Sequence, residues 1–170
     1  TGLVPQEDQG VIMVNIATSP GSTLEETNKV MNKLEDILKK TPEIEHYSRV
    51  AGYGFLSGQG TSYGLIVIRL RDWSERKGNE HTSDAVVARL NAQFYQIKDA
   101  QIFSFQPGMI PGYGMGNSIE LNLQDRTGGD MTTFYNSVMQ FLGALNQHPE
   151  VAMAYTSYAM NFPQISVDVD

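Results

Sequence analysis

The side chains able to do chemistry are few and scattered. His46, His81 and His148 are spread along the chain, and none shares a helical face with a second histidine or a glutamate at metal-ligand spacing. No metal is expected. Cysteine is absent, which removes thiolate nucleophiles, disulfides and cysteine-ligated metals together. The serines fall in cap, turn or strand positions and no GxSxG stretch occurs, so nothing points to a hydrolytic nucleophile. Asp168 and Asp170 stand two apart on a strand-like run, which puts both carboxylates on one face, and solvated strand-edge charge accounts for them. The stretch GYGFLSGQG is glycine-rich, yet it lacks the lysine of a phosphate-binding loop and does not open a helix. The expectation is a protein without cofactor and without enzymatic activity.

What the chain does carry is aromatic and sulfur surface on loops and strand ends: Tyr53, Phe55 and Tyr63, then Phe103 and Phe105, then Met109, Tyr113 and Met115. Rings give large contact area and thioethers adapt to shape, a combination suited to apolar ligands of varied form. Core packing is the competing account for Phe103 and Phe105. It fits Tyr53 and Phe55 less well, because glycine-flanked loops seldom supply a core.

Elements must position these groups, and composition permits them. A hydrophobic fraction of 41% over 170 residues supports a packed core. Nineteen acidic against twelve basic residues give a formal charge of -7 with no basic run, which argues against a nucleic-acid partner. Apolar runs such as Leu65 to Ile68 are far shorter than the ~20 residues of a membrane span, so the chain is expected to be soluble, and without a charged leader at its start it carries no sign of secretion.

Residues 10–18 are β-branched and apolar and run into Ser19-Pro20-Gly21, a strand closed by a turn. Ser22 and Thr23, each three positions before a glutamate, give overlapping capping-box signals for a helix to about Lys40. Strands follow near Ile44 to Ala51 and Tyr63 to Arg71, with GYGFLSGQG, which holds four of the sixteen glycines, as a flexible hairpin connection. After a polar loop from Asp72 to His81, Thr82 or Ser83 caps a second helix whose apolar face is Val86, Leu90, Phe94 and Ile97, and Gln101 to Gln106 closes with a short strand. The class is α+β and the order βαββαβ, a ferredoxin-like split βαβ unit over 1–106.

PGMIPGYGMG marks a linker at 107–116. Beyond it Ile119, Leu121 and Leu123 alternate as a strand, Met131 to Leu145 trace a helix, and Val151 to Tyr158 and Gln164 to Val169 read as two strands. The second unit, 117–170, is thus βαββ, the same pattern without its closing αβ, as though cut from something larger. Its open edge is expected to make the chain self-associate.

This ordered set resembles the second large periplasmic loop of resistance–nodulation–division efflux pumps of the hydrophobe/amphiphile class. The carriers are VPQEDQG (Val4 to Gly10), GYGF, RDW (Arg71 to Trp73) with Arg76, QIKDA (Gln96 to Ala100) and PQISVDVD (Pro163 to Asp170). The resemblance implies a first porter subdomain and the opening part of a second, ending where an outer docking subdomain is inserted. It implies that Gly52, Tyr53, Gly54, Phe55, Gly58 and Gly60 belong to a switch loop between two pockets. It places Met13, Phe103 and Phe105 at access-pocket positions, Val67 at a deep-pocket aromatic position, and Tyr53 and Phe55 at two loop phenylalanines. Val67 and Ser48 depart from aromatics there, and Gly58 departs from an arginine.

The intact protein so implied is a proton-driven homotrimer in the inner membrane of a Gram-negative bacterium. It works with a periplasmic adaptor and an outer-membrane channel and passes on hydrophobic or amphiphilic compounds. The alternative is a stand-alone ferredoxin-like regulatory domain that binds a small metabolite. An acyl-phosphate hydrolase shares the fold but needs an arginine in a phosphate loop.

Overall fold

A computed structural model describes residues 7–56, 58–107, 119, 121–126, 128–151, 154–156, 158 and 160. The chain divides into two compact units, Thr1–Ser118 and Ile119–Asp170.

In the first unit the elements run β1 (Val11–Thr18), α1 (Leu24–Leu38), β2 (Ile44–Gly54), β3 (Gly58–Leu70), a 3-10 turn (Asn79–His81), α2 (Ser83–Phe94) and β4 (Ala100–Phe105). The four strands form an antiparallel sheet in the order β2-β3-β1-β4. This is the βαββαβ arrangement expected from the sequence, in which the two helices lie on one face because each connects strands that are not neighbours.

Period-two alternation decides which strand residues meet the helices. Ile12, Val14 and Ile16 of β1 pair in register with Ile68, Ile66 and Gly64 of β3, and these isoleucines and Val14 are fully buried. Against them pack Val30, Met31, Leu34 and Leu38 of α1 and Val86, Leu90 and Phe94 of α2, the last three at the spacing expected for the helix. Burying each such side chain is worth about 1.5–3 kcal/mol.

Helix starts are fixed by side chains. Of the two overlapping capping signals Thr23 is the one used: its Oγ1 accepts from the Glu26 N–H at 3.2 Å, and the Glu26 carboxylate accepts from the Thr23 N–H at 2.8 Å. Thr82 caps α2 through the Ala85 N–H at 3.3 Å, which leaves Ser83 free for another role.

Two expectations are corrected. The strands that flank the hairpin from Gly52 to Gly60 run past their expected limits at Ala51 and Tyr63: β2 extends to Gly54 and β3 begins at Gly58, where the two pair with each other. Glycine makes this possible, since Gly52 at φ 86° sits where the β2–β3 register shifts and Gly58 at φ 74° turns the chain, both in the left-handed region.

The second unit has one regular element among the described residues, α3 (Met131–Asn146), capped by Asp130, whose carboxylate accepts from the Thr133 N–H at 3.0 Å. Residues 119 and 121–126 form no strand, and neither do 151, 154–156 and 158. An alternating run becomes a strand only when a partner takes its N–H and C=O groups, and none of these residues is paired in a sheet. The Gln164–Val169 run lies outside the described residues. No described helix is long and apolar enough to cross a membrane.

Candidate functional site on the helix-free face

The face of the sheet away from the helices carries the other half of each alternation. Ser48, Val67, Met13 and Phe105 are in register across β2, β3, β1 and β4, and the next row is Val50, Leu65, Asn15 and Phe103. Directly opposed residues of antiparallel strands project to the same side, so the two rows make one surface. The Phe103 and Phe105 ring centroids are 5.7 Å apart.

The hairpin tip leans onto this surface. Phe55, in the turn after β2, places its ring 5.5 Å from that of Phe105, and the Leu56 N–H donates to Asn15 Oδ1 at 3.4 Å. Phe55 stays 41% exposed, so its ring meets solvent on one side and Phe105 on the other. Such tilted ring pairs are worth about 0.5–1.5 kcal/mol beyond their area.

Of the six sequence-derived ligand positions, five thus come together: Met13, Val67, Phe103, Phe105 and Phe55. Tyr53 pairs with Gln59 in the hairpin and is exposed, with no contact to that cluster described. Phe103 and Phe105 are half-buried, not part of the helix-side core. Gly52, Tyr53 and Gly54 belong to β2, Gly58 and Gly60 to β3, and Phe55 alone of the six loop positions lies in the turn. Met109, Tyr113 and Met115 lie outside the described residues.

The base of the hairpin is fixed more firmly than its tip. Thr18 Oγ1 donates to the Ser62 carbonyl at 2.9 Å, Thr27 Oγ1 to the Thr61 carbonyl at 2.7 Å, and Thr61 Oγ1 to the Ser22 carbonyl at 2.8 Å. These bonds tie β3 to the end of β1 and the start of α1.

Two polar clusters escaped the sequence reading. Asp8 accepts from both Nη atoms of Arg76, at 3.0 and 3.1 Å, from the backbone of Gly10 and Ser83, each at 2.9 Å, and from the Ser83 hydroxyl. Burial pushes the Asp8 carboxyl up, but the hydrogen bonds from Arg76, Ser83 and Gly10 outweigh it and hold the group well below its ordinary range. The Arg76 side chain is only 2% exposed and also donates to the carbonyls of Arg71 and His81.

In the second cluster, buried Glu43 takes His81 Nδ1 at 2.7 Å and lies 2.6 Å from Arg89 Nη2, an ion pair off the hydrogen-bond direction. Burial raises the Glu43 carboxyl, and the His81 and Arg89 contacts overcome this and lower it. Asp8 and Arg76 are both in stretches singled out above, but a pair 68 residues apart leaves no periodic signal.

Chemically, the helix-free face offers mainly apolar and aromatic contact, with the Asn15 amide at its centre and the exposed Ser48 on β2, and no described group of three or more potential ligand side chains could hold a metal ion. The shallow cavity beside Gly10, lined by Arg69, Arg71, Trp73 and Arg76, is about 120 Å³ and sits at the opposite end of β3 from the hairpin. It is smaller than the ~300–1,000 Å³ of small-molecule sites.

A model of the AcrB/AcrD/AcrF family matches residues 1–170. The solvent-resistant pump membrane transporter SrpB of Pseudomonas putida is 31% identical over 169 residues, covering 98% of this chain and 16% of that protein. The multidrug export protein AcrF of Escherichia coli K12 is 30% identical over 151 residues, 88% of this chain and 14% of that protein. The multidrug resistance protein MdtF of the same strain is 33% identical over 127 residues, 74% of this chain and 12% of that protein. The chain therefore spans about a sixth or less of the length of these relatives.

Proposed function

Because the chain belongs to the AcrB/AcrD/AcrF family of resistance–nodulation–division efflux transporters, we propose that its first unit is a porter subdomain whose helix-free face binds and passes on hydrophobic or amphiphilic compounds. The observation that carries this reading is the ring cluster of Phe55, Phe103 and Phe105 beside Met13 and Val67, mounted outside the core where a ligand can reach it. An antiparallel sheet covered by helices on one face commonly keeps its other face polar, and apolar side chains held there need something to cover them. The names of the relatives support the same substrate class: they are a solvent-resistant pump, a multidrug exporter and a multidrug resistance protein.

The role is transport and not catalysis. In the whole protein the segment works in the periplasm as part of a proton-driven inner-membrane homotrimer, joined by an adaptor and an outer-membrane channel. The hairpin tip carrying Phe55 serves as the switch, with its base fixed at Thr61 and Ser62 and its tip held by the Phe105 ring and Asn15. Ligand binding shifts the population between tip-down and tip-lifted conformers.

The test is drug and solvent susceptibility of cells making the full-length transporter at matched levels. Phe55→Ala lowers resistance to bulky apolar compounds several-fold, the effect of losing an aromatic contact worth about 1–2 kcal/mol, whereas Tyr95→Ala on the exposed end of α2 leaves it unchanged. Unchanged resistance to every bulky compound in Phe55→Ala cells overturns the reading.

A further inference from the structure

Asn15 is out of place in its surroundings. Along β1 the residues on the helix-free face are Val11, Met13, Asn15 and Ala17, and Asn15 is the one polar side chain among them. Its register partners are Leu65 and Phe103, and Phe105 and Val67 lie in the adjoining row. Yet Asn15 is only 3% exposed. A carboxamide buried among apolar neighbours is costly unless its polar atoms are bonded. Here the Leu56 N–H, on the hairpin tip, donates to Asn15 Oδ1 at 3.4 Å.

The hydrogen bond and the Phe55–Phe105 ring contact act on adjacent residues, so lifting the tip breaks both together. What remains below is an amide carbonyl at the floor of an aromatic surface, stripped of the Leu56 donor. Water or a ligand has to replace that donor. An apolar ligand filling the space excludes water and leaves Oδ1 unpaired, at the cost of its desolvation. A ligand with an O–H or N–H beside its ring meets the same atom and restores the bond.

Resting on the function proposed above, we propose that Asn15 latches the Phe55 hairpin tip through the Leu56 N–H, and that with the tip lifted the same Oδ1 selects amphiphiles bearing a hydrogen-bond donor over pure hydrocarbons. Asn15 is then both a positioning and a specificity-determining residue. Leucine at this position keeps the branching pattern with somewhat more bulk and removes the acceptor.

The experiment uses the full-length transporter, wild type and Asn15→Leu, with two readouts. The first is hydrogen exchange of the Leu56 amide without ligand, which speeds up about fivefold in the variant, the factor set by a typical net hydrogen bond. The second is competition between two probes of equal ring size, ethylbenzene and 2-phenylethanol. Wild type prefers the alcohol, and the variant loses that preference by a similar factor. Asn15→Ala, which removes the amide without adding apolar bulk, gives the same two readings should leucine disturb packing. Unchanged Leu56 exchange, or an unchanged preference for the alcohol, overturns the proposal. Phe55→Ala run in parallel separates the two readings: if it weakens transport of both probes while Asn15→Leu changes nothing, the ligand face stands and the latch falls. If neither variant has an effect, the ligand face falls with it.

Discussion

The Asp8 carboxylate grips the Arg76 guanidinium with two hydrogen bonds, at 3.0 and 3.1 Å, and so joins the segment entering β1 to the loop that leads into α2. The same carboxylate accepts from the Ser83 backbone at the first residue of α2, which adds the favourable field of a helix N-terminus. Removing one partner leaves the other without its compensating charge. Asp8→Asn and Arg76→Ala are therefore expected to destabilise the chain by about 2–3 kcal/mol each, below the full figure for a buried pair because Asp8 is one-third exposed. Urea unfolding followed by circular dichroism measures it, and losses well under 1 kcal/mol would show that the pair is ornamental.

The same contact gives a pH dependence with a definite sign. The folded Asp8 carboxyl lies below its ordinary value of 3.8, so the contribution is present above that pH and is lost as the pH falls below it. The expected outcome is that wild type loses stability on acidification below pH 3.8 more steeply than Asp8→Asn. Parallel slopes would contradict the assignment.

Core and ligand face should respond differently to truncation. Leu34 is fully buried between α1 and the sheet, so Leu34→Ala costs about 2–5 kcal/mol, through lost transfer energy and the cavity left behind. Phe55 is nearly half exposed, and Phe55→Ala costs under about 1.5 kcal/mol, the value of one ring pair. Thermal unfolding of the two variants orders them; equal losses would move Phe55 into the core and remove its surface role.

Much of the first unit was legible because its alternation and helical spacing are local. Ile12, Val14 and Ile16 announce one face of a strand, and Val86, Leu90 and Phe94 one stripe of a helix. The hairpin is legible as a hairpin but its strand ends are not, because glycine signals permission for unusual backbone without saying where pairing stops; here Gly52 and Gly58, both at positive φ, lie within the paired strands. Asp8 and Arg76 were visible only as members of motifs, since a long-range ion pair has no period. Asn15 reads as one letter in an apolar strand, and its hydrogen-bond partner lies in a turn forty-one residues away. In the second unit the Ile119, Leu121 and Leu123 alternation is present without a ladder, because alternation specifies a face and a partner makes the strand.

The second unit also predicts association. Ile119 is 86% exposed, and Leu121, Leu123, Met131 and Phe141 are exposed as well, leaving wet apolar surface at roughly 25 cal/mol per Å². The 170-residue chain is expected to form dimers or larger assemblies through residues beyond 118, with a truncation after Gln106 remaining monomeric. Light scattering over a dilution series reads this; a full chain that stays monomeric at high concentration contradicts it.

Whether ligand touches the helix-free face is measured most directly by thiol protection in the full-length transporter with its native cysteines removed. The variants Phe55→Cys, Phe105→Cys and Tyr95→Cys are alkylated with a small maleimide, with and without a saturating transported aromatic compound. Alkylation at positions 55 and 105 is expected to slow at least several-fold when the compound is bound, as burial of a contact site requires, while position 95, exposed at the end of α2, keeps its rate. Equal rates with and without the compound at both 55 and 105 would contradict the account.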